Sequence, residues 1–205
     1  MKKLSVMLIF IISSLSTAAR AQDKGYQVGS KVEDFSLKNI DNKNVSLQNY
    51  TDAKGFIVVF TCNTCPYAKA YEQRVSELDR RYAKKGYPVI AINPNDAVAS
   101  PGDSFSEMQK RAADKNYSFP YLLDKDQVIA RKFGAVRTPH VYILSKSSNG
   151  YKVEYIGAID DDTEDNNPDR TKYAENAVDA LLENKTPPVT ATKAVGCTIK
   201  WKKAI

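Results

Sequence analysis

Thirty Lys and Arg against 24 Asp and Glu over 205 residues leave a formal charge of +6, too slight an excess to argue for a nucleic-acid partner. Three cysteines are too few for a disulfide-dense scaffold, and the odd count leaves one thiol over. At this length one domain with a substantial buried core is the expectation.

The chain opens with Lys2 and Lys3, an apolar stretch from Leu4 to about Leu15, and small residues at Ala19-Arg20-Ala21. That is the three-part form of a secretory signal, so residues 1–21 are read as a signal peptide and 22–205 as one domain. The competing reading is a membrane anchor, for which the stretch is short and serine-rich. Loss of Lys2, Lys3 and Arg20 would bring the charge to +3. The expected location is periplasmic or secreted, where disulfides persist.

Alternation in "VEDFSLKN" and "KNVSLQN" around Asp41-Asn42 predicts a short hairpin. "GFIVVF", Gly55 to Phe60, is an unbroken apolar run of the kind a strand buried on both faces requires. Tyr67, Tyr71, Val75, Leu78 and Tyr82 then recur at helical steps, with Lys84, Lys85 and Gly86 marking the helix end. "YPVIAIN" reads as a second buried strand. Ser104 and Glu107 form a capping-box signature for a helix to about Asn116. "YLLD" reads as a short strand and "DQVIARKFG" as a short helix stopped at Gly134. "HVYIL" and "YKVEYIG" read as two strands, and a last helix covers roughly residues 172–184, with Tyr173, Ala177, Val178 and Leu181 inward. The order β-α-β-α, a short β-α insertion, then β-β-α implies an α/β domain whose central mixed sheet has an antiparallel edge from the later pair. The acidic run from Asp160 to Arg170 lacks the glycine and closing glutamate of a calcium loop, and reads as solvated.

Cys62 and Cys65 stand two residues apart at the turn between a strand and a helix. A structural zinc site needs four ligands, and the chain has one further cysteine and a single histidine. A static staple over so short a loop contributes little through chain entropy. A redox pair is the stronger reading. The positive end of the helix stabilises a thiolate, with Cys62 exposed as nucleophile and Cys65 one turn inside to resolve the mixed disulfide. Pro66 suits an early helical position. Thr138-Pro139, at the start of "HVYIL", is placed to face the sulfurs. A cis bond is far less costly before proline than elsewhere, and the Thr138 backbone is expected to stay free to pair with an extended substrate.

The stretches "FTCNTCPYAKAYE", "AINPNDA", "FPYLLDKDQVIARKFGAVRTPHVYIL", "YIGAIDDD" and "AVGCTIKW" resemble the thioredoxin superfamily, and within it the redoxin-like branch beside the peroxiredoxins, of AhpC/TSA type. The resemblance spans most of residues 29–203. It implies a thioredoxin-like fold, thiol–disulfide exchange at Cys62 and Cys65 opposite a cis Pro139, and no cofactor. Two departures stand out. The peroxiredoxin frame Pro-x-x-x-Thr/Ser-x-x-Cys fits neither cysteine, and "FIVVF" lacks the buried acid of thioredoxin.

Cys197 reads either as a third thiol that resolves or relays a disulfide, or as a small apolar anchor for a tail packing through Ile199 and Trp201. His140 could tune the sulfurs, or bind copper with them as in the Sco-type chaperones, although strand packing fits its position better. Asn93, Asn95 and Asp96 are expected to shape a loop. The reading is an exported, monomeric thiol-disulfide oxidoreductase acting on protein or small-molecule thiols and disulfides, with a membrane electron donor if it works as a reductase. A thiol peroxidase and a copper-binding chaperone-like module are the alternatives.

Overall fold

The computed structural model describes residues 25–203. The segment read as a signal peptide lies outside the described residues.

Fourteen elements follow in chain order. They are β1 (Lys31–Val32), β2 (Ser36–Asn39), β3 (Asn44–Ser46), β4 (Gly55–Phe60), α1 (Pro66–Tyr82), β5 (Val89–Asn93) and α2 (Phe105–Asp114). Then come β6 (Tyr121–Leu123), α3 (Val128–Phe133), β7 (Arg137–Thr138), β8 (His140–Ser147), β9 (Gly150–Gly157), α4 (Tyr173–Leu182) and β10 (Cys197–Thr198). Eight strands form one sheet in the order β1-β9-β8-β4-β5-β6-β2-β3. β4, β5 and β6 run parallel, as expected for strands joined by helical crossovers. The hairpin expected near Asp41-Asn42 is β2 paired with β3.

The later strand pair lies inside the sheet, where the sequence order suggested an edge. β8 pairs antiparallel with β4 from Gly55↔Ser145 to Phe60↔His140, and β1 covers the outer side of β9. Continuous burial along His140–Leu144 explains the position, since an edge strand would keep one side solvated.

Alternate residues of β4 feed two cores. Ile57 and Val59 pack with Tyr71, Val75 and Leu78 of α1, Met108 of α2 and Val178 of α4. Phe56, Val58 and Phe60 pack on the opposite face with Ile129 and Phe133 of α3 and with Ile199 from the tail. Phe133 meets Tyr26, Phe35, Phe60 and Tyr142 edge-on, with ring centroids 5.0–6.0 Å apart. Each such contact adds about 0.5–1.5 kcal/mol beyond burial.

Three local readings differ from expectation. Tyr67 is exposed, and the buried stripe of α1 runs instead through Ala68, Tyr71, Arg74, Val75, Leu78 and Tyr82. Ser104 stands at the cap position of α2, but the side-chain bonds of a capping box are not made, and Glu107 pairs instead with Lys110 at 2.6 Å. The acidic run is not wholly solvated. Asp160 and Asp162 are buried, and Asp160 holds Arg74 at 2.6 Å.

Antiparallel pairing of β4 and β8 has the consequence that matters for chemistry. The chain leaving β4 toward Cys62 runs beside the chain entering β8 from Thr138, at one end of the sheet.

Candidate functional site

Cys62 and Cys65 sit in the turn between β4 and α1, and Cys65 is the residue that caps α1. Pro66 takes the first helical position, where its missing N–H leaves nothing unsatisfied. The Thr138–Pro139 bond is cis. Thr138 meets both sulfurs: its Oγ1 lies 3.2 Å from the Cys62 Sγ, and its carbonyl accepts from the Cys65 thiol at 3.1 Å. All three cysteines are free thiols. The structure thus brings together Cys62, Cys65, Thr138, Pro139 and Cys197, whose backbone N–H donates to the Cys65 Sγ at 3.4 Å.

His140 is not in this group. Its ring packs against Tyr142 at 4.8 Å, on the α3 side of the sheet, while Cys65 leads into α1 on the other side. Burial holds the imidazole down at about 4, so it is neutral at ordinary pH. Among the described residues no group of three or more His, Cys, Asp or Glu side chains is arranged to hold a metal ion.

Two expectations about the sulfurs are corrected. Cys62 is not exposed: it and Cys65 are each 3% accessible. Nor is Cys62 the acidified thiol. A hydrogen bond from Cys62 is the chief influence drawing Cys65 below the ordinary thiol range, against the opposing effect of burial, and the Cys197 side chain and the N–H groups of Ala68 and Cys197 add to it. Cys62 is pushed up by that same shared proton, then by burial and by the negative charge of Asp103. The physical reason lies in chain position. Cys65 occupies the helix end where free N–H groups point, whereas Cys62 stands three residues earlier, beside a carboxylate. The two sulfurs therefore titrate as a unit that holds one proton between them. With the proton on Cys65, its thiol donates to the Thr138 carbonyl and Cys62 carries the charge, with the Thr138 hydroxyl as a donor. Attack from either sulfur thus requires only a shift of that proton.

Asp103, in the short 3-10 helix Pro101–Asp103 after β5, escaped the sequence reading. Its carboxylate is fully buried under the Cys62–Cys65 loop. One oxygen accepts the Asn63 N–H at 2.6 Å. The other accepts Thr64 Oγ1 at 2.8 Å, Ser100 Oγ at 2.7 Å and Asn95 Nδ2 at 2.8 Å. Three donors converge on one oxygen and one on the other, so the carboxylate is held from two sides. It works as a clamp that fixes the two residues between the cysteines and sets a negative charge near Cys62. The expected loop role of Asn93 and Asn95 takes this form: Asn93 Nδ2 donates to the Asp103 carbonyl at 3.2 Å and its Oδ1 accepts the Asn95 N–H at 3.0 Å. The only signal in sequence was an Asp just before a helix cap, which is commonplace.

The backbone edge of Thr138 is occupied. β10 pairs antiparallel with β7, with Cys197 opposite Thr138 and Thr198 opposite Arg137. The expectation of a free edge fails because the chain's own tail fills it. A cavity of about 890 Å³, lined by Tyr50, Ala53, Lys84, Gly86 and Leu182 among others, lies at the opposite end of β4, away from the sulfurs.

A model of the AhpC/TSA family matches residues 28–155. The chain is 30% identical over 149 residues to the thioredoxin-like protein YneN of Bacillus subtilis strain 168, covering 69% of this chain and 81% of that protein. It is 22% identical over 153 residues to the thiol-disulfide oxidoreductase ResA of Geobacillus thermodenitrificans strain NG80-2, covering 73% and 83%. The crystal structure of the hypothetical protein SMc02350 from Sinorhizobium meliloti 1021 superposes with a TM-score of 0.80 at 30% identity, over 88% of this chain and 97% of that one. Fold and relatives together define an oxidoreductase of the thioredoxin-like class. Within that class, the chain belongs to the AhpC/TSA family.

Proposed function

We propose that Cys62 and Cys65 exchange disulfides with protein or small-molecule thiols outside the cytoplasm. The observation that carries this reading is the contact of both sulfurs with Thr138, at 3.2 and 3.1 Å, beside the cis Thr138–Pro139 bond. Both sulfurs are equally buried, and Cys62 is taken as the one that meets a partner because Cys65 lies between the Thr138 carbonyl and the Cys197 amide. In the reducing direction the Cys62 thiolate attacks a substrate disulfide, forming a mixed disulfide and releasing one substrate thiolate. The Cys65 thiolate then attacks the Cys62 sulfur, the mixed bond breaks, and the second substrate thiolate leaves. Two electrons pass to the substrate and the protein is left with a 62–65 disulfide. Oxidation is the same sequence reversed, and the protein groups need no cofactor for it.

Export is supported by the signal-type pattern of residues 1–21 and is checked by cell fractionation. An exported reductase would draw its electrons from a membrane donor, an oxidase would hand them to an acceptor, and the reduction potential of the pair decides which. The catalytic reading is tested by turnover of insulin disulfides in a coupled thiol assay. Loss of at least 100-fold in both Cys62→Ser and Cys65→Ser is expected. Undiminished turnover in either variant overturns it, and consumption of hydroperoxide without disulfide turnover would favour a thiol peroxidase instead.

A further inference from the structure

The segment carrying Cys197 is built into the site. Gly196 runs so close to Thr138 that a Cβ there would lie 2.2 Å from the Thr138 carbonyl oxygen, so the position tolerates only glycine. The Gly196 carbonyl accepts from Arg137 at 2.9 Å. On the other side of the cysteine, the Ile199 N–H donates to the Val136 carbonyl at 3.3 Å, and the Ile199 side chain is buried in the α3-side core. The Lys200 carbonyl accepts from the Asp96 N–H at 2.9 Å and from the buried Gln127 side chain at 2.8 Å, while its N–H donates to Asn95 at 2.9 Å. Arg131 lies 4.4 Å over the Trp201 ring.

These contacts fix the tail on both flanks of Cys197 in the place where an extended substrate would pair with Thr138. The side chain at that register packs into the cluster of Cys62, Cys65 and Ala68. An apolar anchor would need burial and nothing more, yet the Cys197 side chain is only partly buried. The apolar anchoring is done by Ile199.

We propose that Cys197 is a third redox thiol, held as an internal substrate, that exchanges with the 62–65 disulfide. The Cys197 thiol gives up its proton to solvent, and the thiolate attacks the Cys65 sulfur. The 62–65 bond breaks as the 65–197 bond forms, and Cys62 leaves as a thiolate that is reprotonated. No electrons are gained or lost, so no external oxidant is needed. The result is an oxidised protein in which Cys62 is again a free thiol. The proposal rests on the 62–65 exchange reading above.

The test uses the full-length protein, oxidised with glutathione disulfide, quenched with acid, alkylated and digested with trypsin. Residues 55–69 and 194–200 fall in separate tryptic peptides, so a 65–197 bond appears as a cross-link and a 62–65 bond as a loop within one peptide. The expected result is a cross-linked fraction whose alkyl label sits on Cys62, its loss in Gly196→Val, and a near-complete cross-link in Cys62→Ser. Label found only on Cys197 in the oxidised wild type overturns the proposal while leaving the 62–65 reading intact. Cys197→Ser reports on that reading separately: it should form the 62–65 loop with no thiol remaining, and failure to do so sinks the pair itself.

Discussion

Asp103 and Asp160 are both buried carboxylates in segments that follow strands of the same sheet, and their surroundings compensate them in opposite ways. Asp160 is matched by cations. Arg74 approaches it at 2.6 Å with 6% and 3% of the two side chains accessible, Arg170 lies 3.5 Å away, and the Tyr71 hydroxyl donates at 2.9 Å. Asp103 has only neutral donors, from Asn63, Thr64, Ser100 and Asn95. At Asp160 the charge is cancelled where it stands, and the gain is a locked loop. At Asp103 the charge stays uncancelled and reaches the neighbouring sulfur, where it helps to keep the proton on Cys62. A cation in that position would instead favour the charged form of Cys62.

The strongest way to break this comparison is Asp160→Ala, which leaves the Arg74 guanidinium buried against the Tyr71 ring with its chief partner gone. A loss of about 3–5 kcal/mol in unfolding free energy is expected by urea titration, with disulfide exchange unchanged in the protein that remains folded. If stability falls by less than half of that, the pair is not the lock described.

Asp103→Asn should cost less, about 1–3 kcal/mol, because one amide N–H₂ is set against groups that already donate. Its diagnostic effect lies elsewhere. Removal of the negative charge lowers the Cys62 pKa, and a thiolate absorbance titration of the Cys65→Ser background reads that directly. An unmoved Cys62 titration would reduce Asp103 to a purely structural clamp.

Thr138→Val removes the hydroxyl 3.2 Å from the Cys62 Sγ and keeps the backbone that pairs with Cys197. About 1 kcal/mol of stability is expected to go, the Cys62 pKa should rise, and insulin turnover should slow below that pKa and recover in alkali. Equal slowing at all pH values would show that the hydroxyl acts by packing.

The smallest effect concerns the acidic loop. The Asn167 N–H, aided by those of Glu164 and Asn166, holds the Asp162 carboxyl below its usual range. A folded pKa below the unfolded one, at about 3.9, means that this support is full above the unfolded value and lost as pH falls through the folded one. The protection factors of amides at residues 162–167, taken relative to the intrinsic exchange rate at each pH, should fall in acid, and Asp162→Asn should flatten that dependence.

How much of this was legible in the sequence depends on whether the cause was local. "GFIVVF" could only be a doubly buried strand, and Gly86 and Gly134, at φ 97° and 73°, end their helices as glycine allows. The Cys-x-x-Cys spacing before Pro66, with Thr138-Pro139 far along the chain, was enough to mark four residues that the fold brings together. Distant partners were not legible. Arg74 disturbs the apolar stripe of α1 because Asp160, 86 residues away, takes its charge. Asp103 reaches the loop from 40 residues beyond Asn63. The tail closes on Thr138 across 59 residues, where it packs against the sulfur cluster and occupies the strand edge.

One proton is shared by Cys62 and Cys65, and the helix end draws the charge toward Cys65. Thiolate absorbance against pH, in Cys62→Ser and Cys65→Ser proteins, tests this most directly, since Cys197, pushed up to about 11 chiefly by burial, stays protonated through the range. With a serine hydroxyl at position 62 still donating to it, Cys65 is predicted to titrate well below the ordinary thiol value of about 8.5. Cys62 alone is predicted to titrate at or above that value. The reverse order, an acidic Cys62 beside an ordinary Cys65, would contradict the shared-proton arrangement.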